Sequence, residues 1–288
     1  MEKVKQYYWL TKPGIVFSNT IAAMAGFFLA SSLAGNLDLG LFFAVVVGII
    51  FVIGSACVFN NYMDRDIDRV MKRTNWRATA KGEVSKRAVF MFGGSMAVVG
   101  FGTLALFTNW ITLGAVALAF VSYVFAYGIA KRKTIHSTLI GTVPGAIPPV
   151  AGYVAVTNNF DTAALLLFLI MVCWQMPHFY AIGMRRYKDY AAAKLPVLPV
   201  VKGMRTTKVQ ILYYVSGFIL FNILLVACGY VGYVYLVVMV GLGVIWLAKG
   251  IKGFKVDDDQ KWAKRMFSFS LVILLTLSGM WAVGGLLP

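Results

Sequence analysis

Charge is scarce in this chain. Only 13% of its 288 residues are Asp, Glu, Lys or Arg, against 60% hydrophobic, and the mean hydropathy is +0.77, a balance that excludes an ordinary soluble domain. Cysteine is scarcer still. Cys57, Cys173 and Cys228 are odd in number, unmatched in spacing and each set in an apolar run; they read as buried apolar thiols and imply neither a disulfide framework nor a zinc site. Acid is the sign of charge in short supply, with 11 Asp and Glu against 27 Lys and Arg and a formal net charge of +16. A clear small-residue cleavage site is also lacking after the first apolar run, so no N-terminal signal peptide is expected.

What the chain does have is long apolar runs, each able to cross about 30 Å of hydrocarbon as a helix. Nine are read, at about 14–34, 39–60, 88–107, 111–130, 137–156, 162–183, 209–229, 232–249 and 267–286. The basic residues test that count, because Lys and Arg concentrate in cytoplasmic loops. They fall in five groups, Lys3 to Lys12, Arg65 to Arg87, Lys131 to Lys133, Arg185 to Lys208 and Lys249 to Arg265, and nine spans place every group on one side. The opposite connections, near Ser31 to Gly40, Thr108 to Trp110, Thr157 to Asp161 and Gly229 to Tyr230, carry no Lys or Arg. The expected protein is all-α and polytopic, with a cytoplasmic amino terminus and an outer carboxyl terminus. Its basicity then reflects topology and anionic lipid or substrate, not nucleic acid.

Against this background the segment NNYMDRDIDRVMKRTNWR, Asn60 to Arg77, stands out. Asn60, Asp64 and Asp68 recur at i, i+4 and i+8, one stripe of a helix that the second span delivers to the inner membrane boundary. Carboxylates so placed repel one another and are costly near a bilayer unless they line a wet cavity or bind something. A divalent cation answers both problems, and hard oxygen ligands suit Mg²⁺, which takes one or two carboxylates and completes its shell from substrate phosphates. Lys72, Arg73, Arg77 and Lys81 follow, a set of cations for the far oxygens of a phosphorylated ligand. A solvated helix end with weak ion pairs is the plain alternative for such a mixed run; the membrane setting favours a site.

Other features converge on the same side. The fourth span ends with Tyr123, Tyr127 and Lys131 on one face, either an aromatic belt with a snorkelling lysine or a substrate contact. The fifth carries Pro144, Pro148 and Pro149 among glycines, so a kinked or interrupted helix lining a cavity is expected. The sixth brings Gln175 and His178 to its last turns, where a histidine is either a hydrogen-bonded core residue or a ligand, and Asp189 follows at its cytoplasmic end. Second helices that each end in acid suggest a single domain over 1–288 built of two four-helix halves, about 1–133 and 134–250, plus the final helix, around a central chamber. Asp257 to Asp259 read as a solvated loop, since three adjacent acids cannot share one helix face.

These residues carry a resemblance. Asn60-x-x-x-Asp64-x-x-x-Asp68 resembles the first aspartate-rich motif of the intramembrane aromatic prenyltransferase superfamily, and TKPG at Thr11, CVFNNYMDRDIDRVMKRT at Cys57, WQMPHFYAI at Trp174 and KDYAAAKLPVLPVVKG at Lys188 are similar to its protohaem IX farnesyltransferase family. The resemblance implies an enzyme that moves a farnesyl group from farnesyl diphosphate to a vinyl group of haem B with addition of water. Asn60, Asp64, Asp68 and Asp189 would hold Mg²⁺, Lys72, Arg73, Arg77, Lys81, Tyr127 and Lys131 the diphosphate, and His178 with Gln175 the haem. It implies a cell membrane location and leaves room for a haem-handling or oxidase-assembly partner. The superfamily's second motif usually has two acids where this chain has Asp189 alone. Two other readings differ in test: a prenyltransferase for an aromatic quinone precursor would share the metal site, and a transporter would release no diphosphate.

Overall fold

The computed structural model describes residues 2–287. Among these, every regular element is helical: α1 (Glu2–Leu10), α2 (Pro13–Ala34), α3 (Leu39–Met63), α4 (Arg65–Val70), α5 (Ala78–Lys81), α6 (Lys86–Phe107), α7 (Trp110–Val121), α8 (Gly128–Lys133), α9 (Ser137–Thr157), α10 (Thr162–Arg185), α11 (Tyr187–Ala192), α12 (Leu198–Ala227), α13 (Tyr233–Lys252) and α14 (Asp259–Gly284). A six-residue π-helix, Ser122–Tyr127, joins α7 to α8. Nine helices among the described residues are long and apolar enough to cross a membrane, with α7, the π segment and α8 forming the fourth. This is a multi-pass, all-α membrane protein.

Three of the four helices that start on the loops free of Lys and Arg do so with side-chain caps. Asp38 accepts from Leu41 N at 2.9 Å, Asn109 from Thr112 N at 2.8 Å and Asp161 from Ala164 N at 3.0 Å, each satisfying a backbone donor that hydrocarbon could not. α9 is the hub, packed against α2, α7 and α10, and α14 closes the ring by touching α2 and α10. The contact of α2 with α9 is backbone to backbone: a Cβ on Gly26 would overlap Pro149 O, and one on Gly152 would overlap Ala23 O. Where lipid is as apolar as the helix face, such close approach supplies the packing that holds helices together.

Four expectations need correction. α9 is not interrupted at Pro144, Pro148 and Pro149, because close contacts with α2 and α10 support the proline-rich stretch, which does line a cavity as expected. α12 is two helical segments joined across a break at Gly203, φ 80°, so the seventh span begins after Gly203, a few residues before the apolar run; hydropathy does not register its basic first turns. Cys228 caps the end of α12 and is exposed. Asp258 accepts from Lys261 N at 2.9 Å and caps α14, while Asp259 forms an ion pair with Lys208.

Candidate active site

The aspartate stripe is carried by two helices. α3 ends at Met63, Asp64 breaks the helix at φ −93°, ψ 0°, and α4 begins at Arg65. The i to i−4 bonding nonetheless runs through the break, Asp64 N to Asn60 O at 3.0 Å and Asp68 N to Asp64 O at 2.8 Å, so all three side chains keep one face. All three are buried. The Arg132 guanidinium holds the joint by donating to Met63 O at 2.7 Å and to both oxygens of Asp66 at 2.7 and 2.8 Å. That fork also holds the Asp66 carboxyl well below the usual carboxylate range. Asn61 anchors α3 to the amino terminus by donating to Leu10 O at 2.7 Å, and Arg69 tethers the following loop through Ala80 O at 2.7 Å.

Asn60, Asp64 and Asp68 open onto a cavity of about 460 Å³. Each meets a cation. Lys12 donates to Asn60 Oδ1 at 2.6 Å, Lys131 is ion-paired with Asp64, and Arg77 donates to Asp68 Oδ2 at 2.8 Å. Tyr123 and Tyr127 stack at 5.8 Å, with Lys12 over the first ring and Lys131 over the second. They sit on the π-helical turn, a wider helix segment that recurs at functional sites. Lining cations, Lys12, Arg73, Arg77 and Lys131, outnumber the lining carboxylates Asp64 and Asp68, so this end of the cavity favours an anion. Burial, above all, lowers the Lys12 ammonium to about 8, and burial raises the Tyr190 phenol, which joins the wall from α11.

Away from this end the walls are apolar. Ile49, Val52 and Ile53 of α3 face Val116 and Phe120 of α7, and Met171, Trp174 and Phe179 of α10 line the chamber with Leu274 of α14. His178 and Gln175 belong to this wall. Gln175 spends its amide on Thr142 O and Met171 O, at 3.2 and 3.1 Å. Lys72, Lys81 and Asp189 are not among the described lining residues; Lys81 lies 3.8 Å from Glu83. Lys12 and Tyr190 join the site beyond the residues singled out in the sequence, and Tyr123 takes its place beside Tyr127. Lys12 precedes a proline and reads there as a helix start, while Tyr123 already shared a face with Tyr127.

The donor set fits a hard divalent cation. Among the described residues no three His, Cys, Asp or Glu side chains converge into an all-protein cage, as suits Mg²⁺ held by one or two carboxylates and a phosphorylated ligand. Beyond their mutual ion pair, buried Asp64 Oδ1 and Lys131 Nζ have no hydrogen-bond partner. Carboxylate capacity is thus left for a ligand that displaces the lysine.

Comparison with known proteins agrees with this geometry. A family model described as the UbiA prenyltransferase family matches residues 19–273. The chain belongs to the UbiA prenyltransferase family. It is a prenyltransferase enzyme by that membership. A protein of Protochlamydia amoebophila named protoheme IX farnesyltransferase is 46% identical over 275 residues, 96% of each chain. One of the same name from Sodalis glossinidius is 45% identical over 99% of this chain and 96% of its own. The fold matches a structure of digeranylgeranylglyceryl phosphate synthase with a TM-score of 0.81 at 18% identity, over 99% of both chains. A UbiA homologue from Archaeoglobus fulgidus bound to GPP and Mg²⁺ matches with a TM-score of 0.72 at 14% identity, over 96% of this chain and 99% of that one.

Proposed function

We propose that this chain transfers the farnesyl group of farnesyl diphosphate to a vinyl group of haem B with addition of one water, releasing diphosphate and hydroxyethylfarnesyl haem. The observation that carries the reading is one chamber with a cation-rich, carboxylate-bearing end and apolar walls on two sides, room for a diphosphate head, a prenyl tail and a second hydrophobic substrate. The names borne by relatives 44–46% identical over nearly the whole chain support haem as the acceptor.

Asn60, Asp64 and Asp68 would hold Mg²⁺, which when bound supplies positive charge to the leaving diphosphate. Arg73, Arg77, Lys12 and Lys131 bind the remaining phosphate oxygens and stabilise charge as the carbon–oxygen bond breaks. Loading exchanges the internal pairs, Lys131 with Asp64 and Arg77 with Asp68, for contacts with the ligand. Tyr123 and Tyr127 line the chamber beside the carboxylate end, near the start of the tail, where aromatic rings favour developing allylic positive charge. The apolar walls keep bulk water from that carbon until the vinyl group attacks. One water then adds to the cation beside the porphyrin and gives up a proton. His178 binds the haem iron. Lys72, Lys81 and Asp189 act from the rim through their field. The protein lies in the cell membrane, amino terminus inside and carboxyl terminus outside, as the basic loops require.

The test is mass spectrometry of haem extracted after purified protein in detergent is incubated with haem B, farnesyl diphosphate and Mg²⁺, beside an EDTA control. The expected product is haem heavier by farnesyl plus water, formed only with metal. Unchanged haem from folded protein, with prenylation of an aromatic acceptor under the same conditions, would replace the acceptor and keep the donor site.

A further inference from the structure

His178 stands at the seam between α10 and α14, and its ring is held on several sides. Trp174, one turn earlier, stacks on it with centroids 5.0 Å apart and planes at 26°, and Phe267 of α14 lies at 4.9 Å and 35°. Nδ1 is 2.8 Å from Ser270 Oγ. Ser270 Oγ in turn donates to the Phe267 carbonyl oxygen at 2.6 Å. A hydroxyl has one hydrogen. With that hydrogen spent on the carbonyl, Ser270 can only accept from His178, so Nδ1 carries the ring hydrogen and Nε2 carries a lone pair. The reverse arrangement would leave two oxygens 2.6 Å apart with no hydrogen between them, an uncompensated repulsion. Nε2 has no hydrogen-bond partner among the described residues, and His178 lines the chamber. Ser270 is itself gripped from α10, because Trp174 Nε1 donates to its carbonyl at 2.8 Å.

We propose that Ser270 is a positioning residue for the tetrapyrrole: it fixes His178 as the Nδ1–H tautomer and so presents an unprotonated Nε2 to the iron of haem B, a role that rests on the haem reading above. Histidine ligands of metals commonly donate their second ring N–H to an oxygen, which sets ring orientation and raises the basicity of the ligating nitrogen. Here the chain runs from Phe267 carbonyl to Ser270 hydroxyl to His178. The iron is thereby held from α10 and α14, whereas the carboxylates come from α3 and α4, so the two substrates are bound by different helices of the ring.

Full-length protein in detergent is titrated with haem B, without farnesyl diphosphate, and followed by visible absorption and electron paramagnetic resonance. Wild type is expected to give a nitrogen-ligated haem spectrum, H178A to lose it, and added imidazole to restore it. S270A weakens haem affinity roughly tenfold and mixes ligation states, while S270T, which keeps the hydroxyl, behaves as wild type. Thermal unfolding of each variant separates lost ligation from lost fold, and S270C replaces S270A if the latter does not fold. S270A matching wild type while H178A loses ligation overturns the role of Ser270 and leaves His178 as ligand. A spectrum unaltered in H178A, or a wild-type complex without nitrogen ligation, overturns both.

Discussion

Two lysine–aspartate pairs with buried lysines bridge helices in this molecule, and they are spent differently. Lys208 of α12 is ion-paired with Asp259 of α14, donates to Gly253 O at 2.6 Å and packs on the rings of Trp262 and Phe254 at 5.4 and 6.0 Å. Lys131 lies over the Tyr127 ring at 5.2 Å, but beyond the ion pair the atoms of Lys131 and Asp64 that meet have no hydrogen-bond partner. The first pair is satisfied by the protein and joins α12 and α14 to the turn that follows α13. The second faces a chamber and keeps bonding capacity in reserve. A buried charge is costly when left incomplete, so the incomplete pair marks where a ligand belongs and the complete one marks where helices are clamped.

The sharpest way to break this comparison is to alter each aspartate alone. D64N removes a carboxylate proposed to face metal and diphosphate, and is expected to lower prenyl transfer per folded molecule by about 10³-fold, as losing a preorganised electrostatic group does, and to lower the melting temperature in detergent as well, because it leaves Lys131 buried without its carboxylate. Extracted-haem mass spectrometry and thermal unfolding read the two effects. D259N should change stability alone. It leaves Lys208 buried with one carbonyl partner, and we expect a loss of about 2 kcal/mol, less than the 3–5 typical of fully buried pairs because the Asp259 side chain is 28% exposed. Turnover per folded molecule should stay at the wild-type level. A D259N protein that is stable and inactive would erase the distinction between the two pairs.

The difference between the pairs was only half legible beforehand. Asp64 was marked by a local pattern, three polar residues at helical spacing beside a membrane boundary. Asp259 sat in a run of three acids whose neighbours in the chain say nothing of Lys208, 51 positions earlier; the pairing exists only once α12 and α14 pack. Span count followed from hydropathy and loop charge, because lipid imposes both on the sequence directly. The continuity of α9 through three prolines did not, since it depends on what α2 and α10 press against it. Lys12 was hidden for a related reason. Its φ of 51° turns the chain into α2, and that turn carries its ammonium to Asn60, 48 residues away. The π-helical turn that aims Tyr123 and Tyr127 left no pattern distinguishable from an ordinary helix.

A smaller effect is expected at the second carboxylate. Arg77 donates to Asp68 from a side chain 18% exposed, and the proposed loading step transfers it to diphosphate. R77K keeps the charge and loses the planar fork, so kcat/KM for farnesyl diphosphate should fall about 10- to 100-fold, the worth of one charge-assisted hydrogen bond at about 1.5–3 kcal/mol. Stability should hold, because Lys at this position still pairs with Asp68. Unaltered kinetics would assign Arg77 to loop anchoring and shrink the functional reserve to Asp64 and Lys131.

The smallest effect belongs to an ion pair of the same residue types on the exposed side of the joint. Arg132 binds Asp66 with both arms, yet the Asp66 side chain is 62% exposed, where solvent screens the attraction and exposed pairs contribute about 1 kcal/mol or less. D66N should therefore lower stability by less than about 1 kcal/mol and leave turnover unchanged. The pH dependence has a definite sign. Because Arg132 holds the folded Asp66 carboxyl below the usual range, the contribution is present above the unfolded carboxylate's value of about 3.9 and is lost as pH falls below it. Thermal unfolding of D66N and wild type should differ most at neutral pH and converge toward acid. A large activity loss in D66N at neutral pH would mean that the bend at Asp64, which Arg132 braces through Met63 O as well as Asp66, needs the carboxylate to keep Asp64 and Asp68 on one face.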